Sequence, residues 1–327
     1  MDFTLTDDQV SLVTAARDYL TRAHPATADR STVDTQSWPE LLRQGWLDPG
    51  LGVVERALLA EEGGRALHPA PWWPAAAALP LHAADGPVAL VDAVPACRAV
   101  VTDGRWSLYG AAAGVTGADT AAELVVAART PAGPAVFAVP VPADGVAVVT
   151  GTGIDPLRPP CDVAFAGAAA RPLVTPPDAA AALTAARRHA AVLLCCEAVG
   201  VADAALRLAV EHAGDRVQFD RPIGSFQAVA HQLAEAYADV ELARSLAYRA
   251  ACALAASSAD LADALACAAH ACPRAAVSVA ETAVQVCGGM GVTWEFPLHR
   301  RLRRALWTEA TLAGEAAGVL DAAGLLR

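Results

Sequence analysis

The hydrophobic period of this chain changes twice along its length, and each change limits the fold. Up to about residue 85 the apolar residues fall in short helical runs. Val10, Leu12, Val13, Ala16 and Leu20 share one side of a predicted helix over 5–20 with Thr6 and Asp7 as caps, and a second run over 53–67 ends at Pro69, Pro71 and Pro74. From Pro87 to Val174 the runs become short and β-branched, broken by Gly, Pro and Asp. Seven strands are predicted, at 88–91, 98–102, 106–109, 124–128, 135–140, 146–149 and 162–166. Turns and not helices separate them, which disfavours a Rossmann sheet and favours a small barrel or sandwich. After Pro176 and Pro177 the helical period returns in four long runs, 179–213, 225–257, 258–288 and 297–326, the pattern of an antiparallel bundle. The expected fold is therefore a mainly α, α+β multidomain chain. It has an N-terminal helical domain (1–86), a reduced middle β-barrel or sandwich domain (87–175) and a C-terminal four-helix bundle (176–327).

Composition narrows the function classes. With 327 residues, 55% hydrophobic and 18% charged, the chain can bury a large core. It contains 81 Ala, and all 24 basic residues are Arg, a bias that points to a GC-rich coding background more than to chemistry. A net charge of −11 with a pI near 5.1 argues against nucleic acid as a partner. Apolar runs such as 190–196 fall short of the roughly 18 to 20 residues of a membrane span, and the acidic start has no basic leader region. A soluble, cytoplasmic protein without membrane contact is expected. The eight Cys include no CxxC pair and the eight His no HExxH, so buried thiols and no metal are expected.

Two segments carry chemistry. In 215–227, DRVQFDRPIGSFQ, Arg216, Gln218 and Phe219 precede Pro222 and Gly224, where one long helix ends and the next must begin. A guanidinium there can fork onto a pyrophosphate, and an aromatic ring can pack on a nucleoside. In 285–305, QVCGGMGVTWEFPLHRRLRRA, Gly288, Gly289 and Gly291 lie between helices. Missing side chains there let backbone amides approach an anion, although a helix C-cap needs the same glycines.

These two segments, the opening helix MDFTLTDDQVSLVTAARDYL, the weaker DGRWSLYGAA at 103–112 and the helical–β–helical order together resemble the acyl-CoA dehydrogenase family. The resemblance implies FAD as cofactor, an acyl-CoA substrate, α,β-dehydrogenation of the thioester and electron-transfer flavoprotein as acceptor. In that family the matching Arg, Phe, two Gln and paired Gly touch the ADP half of FAD held mainly by the neighbouring subunit. Carried over, these are Arg216, Phe219, Gln227, Gln285, Gly288 and Gly289, with Gln218 beside them. Asp220 stands where the family usually has Gly, and Cys287 replaces a larger residue.

The larger departure is the base. The family removes the α proton with a Glu at one of two places, which are occupied here by Leu312 and Ala190, neither able to accept a proton. Glu197 and Glu309 are the candidates for a displaced base. Nothing between Leu79 and Ala99 matches the family's Thr-Glu-Pro and Gly-Ser-Asp segment, and GAAAGVTGA replaces its Trp-Ile-Thr strand. Flavin-ring and substrate surfaces thus look eroded while the ADP-binding surface is kept. The resemblance therefore points to the short, base-lacking subunit of a heteromeric α2β2 acyl-CoA dehydrogenase, with a homologous subunit as partner, of the kind acting on bulky lipids such as steroid side chains. The alternatives are a self-sufficient flavoenzyme with a relocated base and a flavin-free scaffold.

Overall fold

The computed structural model describes residues 4–23 and 32–322, with side-chain detail as far as residue 313. It is a mixed α/β structure. Four helices come first, α1 (Asp7–Ala23), α2 (Trp38–Arg43), α3 (Val53–Ala66) and α4 (Trp72–Ala78). Seven strands follow, β1 (Val88–Asp92), β2 (Cys97–Thr102), β3 (Arg105–Thr116), β4 (Glu123–Thr130), β5 (Gly133–Pro140), β6 (Val146–Thr150) and β7 (Pro160–Val174). Then come α5 (Ala179–Asp215), a hairpin of β8 (Val217–Gln218) and β9 (Arg221–Pro222), α6 (Gln227–Ala255), α7 (Leu261–Cys287) and α8 (Leu298–Ala322). Residues 323–326 of the expected last helix lie outside the described residues.

All seven expected strands are present, and β3 and β7 run well past their predicted ends. The Ala- and Gly-rich stretch from Gly110, expected as an eroded strand, remains strand through Thr116 and pairs with β7 from Phe165 back to Pro160. Its side chains are small, but its backbone still pairs with β7, with one register shift between Ala112 and Val115. Helices α2 and α4 are additions to the sequence reading. The Pro-rich stretch that marks a break also starts α4, because Pro71 precedes the helix and Pro74 lies in its first turn, where no N–H donor is needed. At the chain's first helix Thr6 is the cap. The Gln9 N–H donates to Thr6 Oγ1 at 3.3 Å and the Thr6 N–H to Gln9 Oε1 at 3.1 Å, a reciprocal box.

The chain divides into two compact units that interleave along the sequence. One comprises Asp29–Leu51 and Pro69–Ala190 and contains β1 to β7. Strand pairing runs β4–β2–β3–β7–β5 and returns to β4 through the β4–β5 ladder, so the sheet closes into a barrel, with β1 on β4 and β6 on β7. Leu108, Leu124, Val126, Phe137, Val139, Val163 and Phe165 fill it.

The other unit comprises Met1–Ala28, Gly52–His68 and Ala191–Arg327. Here the long helices pack through small residues. Ala243, Ala247, Ala250 and Ala251 of α6 and Ala264, Ala268, Ala276, Ala280 and Ala283 of α7 are buried, so the backbones can approach closely. The Cys272 thiol of α7 reaches the Ala243 carbonyl of α6 at 3.3 Å. Among the described residues the stretch Leu261–Val292, which includes α7, is by length and composition apolar enough to cross a membrane. The apolar residues of α7 instead pack on α6 and α8. In the same unit α3 and α5 cross with almost no clearance. A Cβ on Gly64 would lie 2.1 Å from the Glu197 carbonyl oxygen, and one on Gly200 1.9 Å from that of Glu61.

Candidate functional site

The site residues singled out in the sequence sit on two connections of the helical unit. The first is the β8–β9 hairpin between α5 and α6. Gln218 pairs with Arg221 across it, and the two turn residues, Phe219 and Asp220, have φ of 54° and 64°. Positive φ at both central positions is the type I′ turn, which suits Gly, Asn or Asp and penalises an aromatic residue. Phe219 is nevertheless held there, 87% exposed, its ring edge-on to that of Phe226 with centroids 6.2 Å apart. Arg221 lies over the Phe226 ring at 4.0 Å. Gln218 Nε2 donates to the Val217 carbonyl at 2.8 Å. Arg216 is exposed, and its backbone closes the hairpin by accepting from the Ile223 N–H at 2.8 Å. Its guanidinium has no partner among the described residues, and neither Arg216 nor Arg221 is ion-paired with Asp220.

The second connection follows α7. Gly288 takes φ of 60°, and its N–H reaches back to the Val284 and Gln285 carbonyls, so it serves as the helix cap. Gly291 is packed, since a Cβ there would meet Val284 at 3.2 Å. Gly289 has neither reason, because its φ is not positive and a Cβ would meet nothing within 4 Å. The chain's own fold therefore does not require glycine at 289, and the space above it is open. Gln285 in the last turn of α7 and Gln227 at the start of α6 are both exposed. The two connections share one end of the helices. A groove of about 360 Å³ is lined by Gln232, Glu235 and Asp239 from the first half of α6 and Ser278, Glu281 and Gln285 from the second half of α7, which fixes these helices as antiparallel.

The candidate bases behave differently from one another. Glu197 Oε1 accepts from Arg304 Nη1 at 2.8 Å, and both side chains are buried, so this acid is committed to an ion pair. Glu309 is half-buried on α8, three residues before Leu312, which is itself 1% exposed. Ala190, in α5, is half-buried. Among the described residues no group of three or more metal-ligating side chains forms. Burial pushes the Cys196 thiol well up. A bond to Cys195 and burial do the same for Cys272, so these thiols are inert.

Sequence reasoning missed the charged layer around α3. Arg17 forks onto Glu62 at 2.8 and 2.9 Å, and Glu61 takes Arg65, Arg244 and the Tyr248 hydroxyl. The run Glu61-Glu62-Gly63-Gly64-Arg65 was the available signal, since two acids and an Arg one helical turn apart, beside glycines, fit a close buried crossing.

Residues 180–315 match the acyl-CoA dehydrogenase C-terminal domain. Over this region the chain is similar to the acyl-CoA dehydrogenase family. Acyl-CoA dehydrogenase IpdE2 of Mycobacterium tuberculosis is 40% identical over 116 residues, 36% of this chain and 35% of that relative. The match thus spans about a third of the relative's length. Acyl-CoA dehydrogenase FadE34 of the same organism is 46% identical over 117 residues, 36% of this chain and 16% of its own length. Among solved structures the ChsE4–ChsE5 complex from Mycobacterium tuberculosis superposes with a TM-score of 0.87 at 26% identity, covering 99% of this chain and 98% of that one. The Tcur3481–Tcur3483 steroid ACAD superposes with a TM-score of 0.83 at 29% identity, with the same coverage.

Proposed function

We propose that this chain is one subunit of an FAD-dependent acyl-CoA dehydrogenase, and that its bundle end completes the FAD site of a related catalytic partner. The finer layout of an N-terminal helical domain, a middle β-domain and a C-terminal bundle belongs to the same reading. The observation that carries it is the state of the two connections. An aromatic residue held at positive φ and left 87% exposed, a guanidinium without a partner and a glycine that the fold does not require lie at one end of the helices. Strained, unsatisfied features of this kind cluster where a chain receives something from outside. They fit the ADP half of FAD. Arg216 would fork onto the pyrophosphate, Phe219 would cover the nucleoside, the backbone at Gly288 and Gly289 would approach an anion, and Gln218, Gln227 and Gln285 would supply amide donors. When bound, FAD supplies the acceptor for the hydride leaving the acyl β carbon.

The likeness to the ChsE4–ChsE5 complex and to the Tcur3481–Tcur3483 steroid ACAD, both two-chain assemblies, supports a heteromer. On this reading the partner supplies the base, since Leu312 and Ala190 hold the family's two base positions, and the substrate is a bulky lipid acyl-CoA. Electron-transfer flavoprotein as acceptor and a cytoplasmic location complete the proposal. Glu309 favours a second reading, a base relocated within this chain, because it is a half-buried acid one turn from Leu312 with no partner among the described residues. Turnover by the chain alone, abolished by Glu309→Gln, would establish that second reading.

The deciding experiment is FAD affinity of the co-purified complex. Arg216→Ala removes a charge-assisted fork worth about 1.5 to 3 kcal/mol per bond, so FAD is expected to bind at least about tenfold more weakly. Arg216→Lys restores part of that, because the charge returns without the fork. Full flavin content with only a lower melting temperature would make Arg216 a structural residue and overturn the shared site.

A further inference from the structure

Away from the two connections, α1, α3, α5 and α6 enclose an open cavity of about 750 Å³ whose lining the proposed function does not use. Its polar wall is the charged layer around α3. Glu61 accepts from Arg65 at 2.8 Å, Arg244 at 3.2 Å and Tyr248 at 2.7 Å. Glu62 accepts from Arg17 through both oxygens. Asp203 accepts from Arg207 at 2.7 Å and Arg244 at 3.4 Å and is paired with Arg65, while Arg244 also pairs with Glu241.

The donors and acceptors of this wall do not balance. Every carboxylate oxygen of Glu61, Glu62 and Asp203 already accepts a bond. Arg17 donates only through Nε and Nη2, and Arg207 only through Nε. Arg17 Nη1 and both Nη groups of Arg207 meet no partner among the described residues, on side chains 54% and 72% exposed. Beside the second oxygen of Glu241 and the Tyr237 hydroxyl, what remains for a ligand is guanidinium donors fixed by their other bonds, which suit an anion. The same cavity carries aliphatic surface from Leu5, Val13, Val54 and Leu58. Its volume lies within the range of sites that hold ligands of drug size, roughly 300 to 1,000 Å³.

We propose that this cavity binds an amphipathic carboxylate, its head on Arg17 and Arg207 and its aliphatic body on Leu5, Val13, Val54 and Leu58. The site is separate from the connections assigned to FAD, so its test does not depend on flavin. Calorimetric titration of the full chain with dodecanoate, against dodecanol, reads the head-group directly. Dodecanoate is expected to bind at least about tenfold more tightly than the alcohol, and to lose that advantage as salt is raised. Arg207→Gln leaves Asp203 paired with Arg65 and Arg244, so the fold is kept. It should weaken dodecanoate at least about fivefold and leave dodecanol unchanged. Val13→Trp fills the aliphatic part and should remove both. Equal binding of acid and alcohol, no heat with dodecanoate, or dodecanoate binding indifferent to Arg207→Gln would each overturn the proposal, and the arginine variant decides the matter if the tryptophan variant does not fold.

Discussion

Four side chains have consequences that stability measurements can read. Asp220 occupies the second positive-φ position of the hairpin turn, where glycine carries no Cβ penalty. Asp220→Gly is expected to stabilise the chain by up to about 1 kcal/mol, or a few degrees in Tm. By removing a negative charge beside Arg216 it should also leave FAD binding equal or tighter. The Glu197–Arg304 pair is the opposite case, because two buried charges hold each other. Arg304→Met strands the carboxylate and should cost about 3 to 5 kcal/mol, whereas Glu197→Leu combined with Arg304→Met should recover most of the loss. Denaturant titration of the three variants checks this. His299 adds a pH term. Burial lowers its pKa first, and the Arg300 and Arg303 charges add to that against the bond from its Nδ1 to the Phe296 carbonyl at 3.1 Å. A His depressed in the folded state is protonated more readily in the unfolded chain. Its contribution is therefore whole above the unfolded pKa of about 6.5 and is lost as pH falls below it. Melting curves between pH 7.5 and 5 should show a shallower loss for His299→Gln than for the parent chain.

Among the elements, the crossing of α3 and α5 is the tightest joint in the helical unit. Gly64→Ala and Gly200→Ala each place a methyl group about 2 Å from a carbonyl oxygen of the other helix, and backbone cannot yield as a side-chain tip can. Each should cost at least about 1 to 3 kcal/mol, although alanine favours the helix by nearly 1 kcal/mol at an open site. A rise in Tm for either variant would show that the helices separate freely. The sequence carried only half of this joint: Gly63 and Gly64 beside two acids fit a close crossing, but nothing local ties them to Gly200 on a distant helix. The long helices and seven strands were legible, because period and turn residues report burial on a repeating face. Helix α2 was too short to show a period, and α4 was hidden by the prolines that begin it. At the site, the sequence singled out Arg216, Phe219 and the glycines but could not separate Gly288, which the cap requires, from Gly289, which it does not. That distinction depends on φ and on the space above each Cα. Nor could it show that Glu197 is committed to Arg304, a residue 107 positions away.

At the scale of the whole molecule, the distribution of exposed apolar groups bears on assembly. Val217 and Phe219 on the hairpin and Val292 and Trp294 after the glycine turn are all more than half exposed, and both connections lie at one end of the helices. Large apolar side chains gathered on a surface usually mark an interface, where aromatic residues are enriched. A chain of net charge −11 repels its own copies, which favours a partner with a different surface over a homomer. Co-expression with a related chain that keeps a Glu at one of the base positions is therefore expected to yield a soluble heterotetramer carrying FAD. Phe219→Ser should weaken that assembly at least about tenfold, because an aromatic anchor at an interface is commonly worth 2 kcal/mol or more. Phe219 is 87% exposed, so the fold of the isolated variant should be unchanged by circular dichroism. Light scattering at micromolar concentration distinguishes the outcomes. A parent complex that dissociates in the variant supports the interface, whereas a parent chain that stays monomeric and colourless beside its candidate partner refutes both the assembly and the shared flavin site.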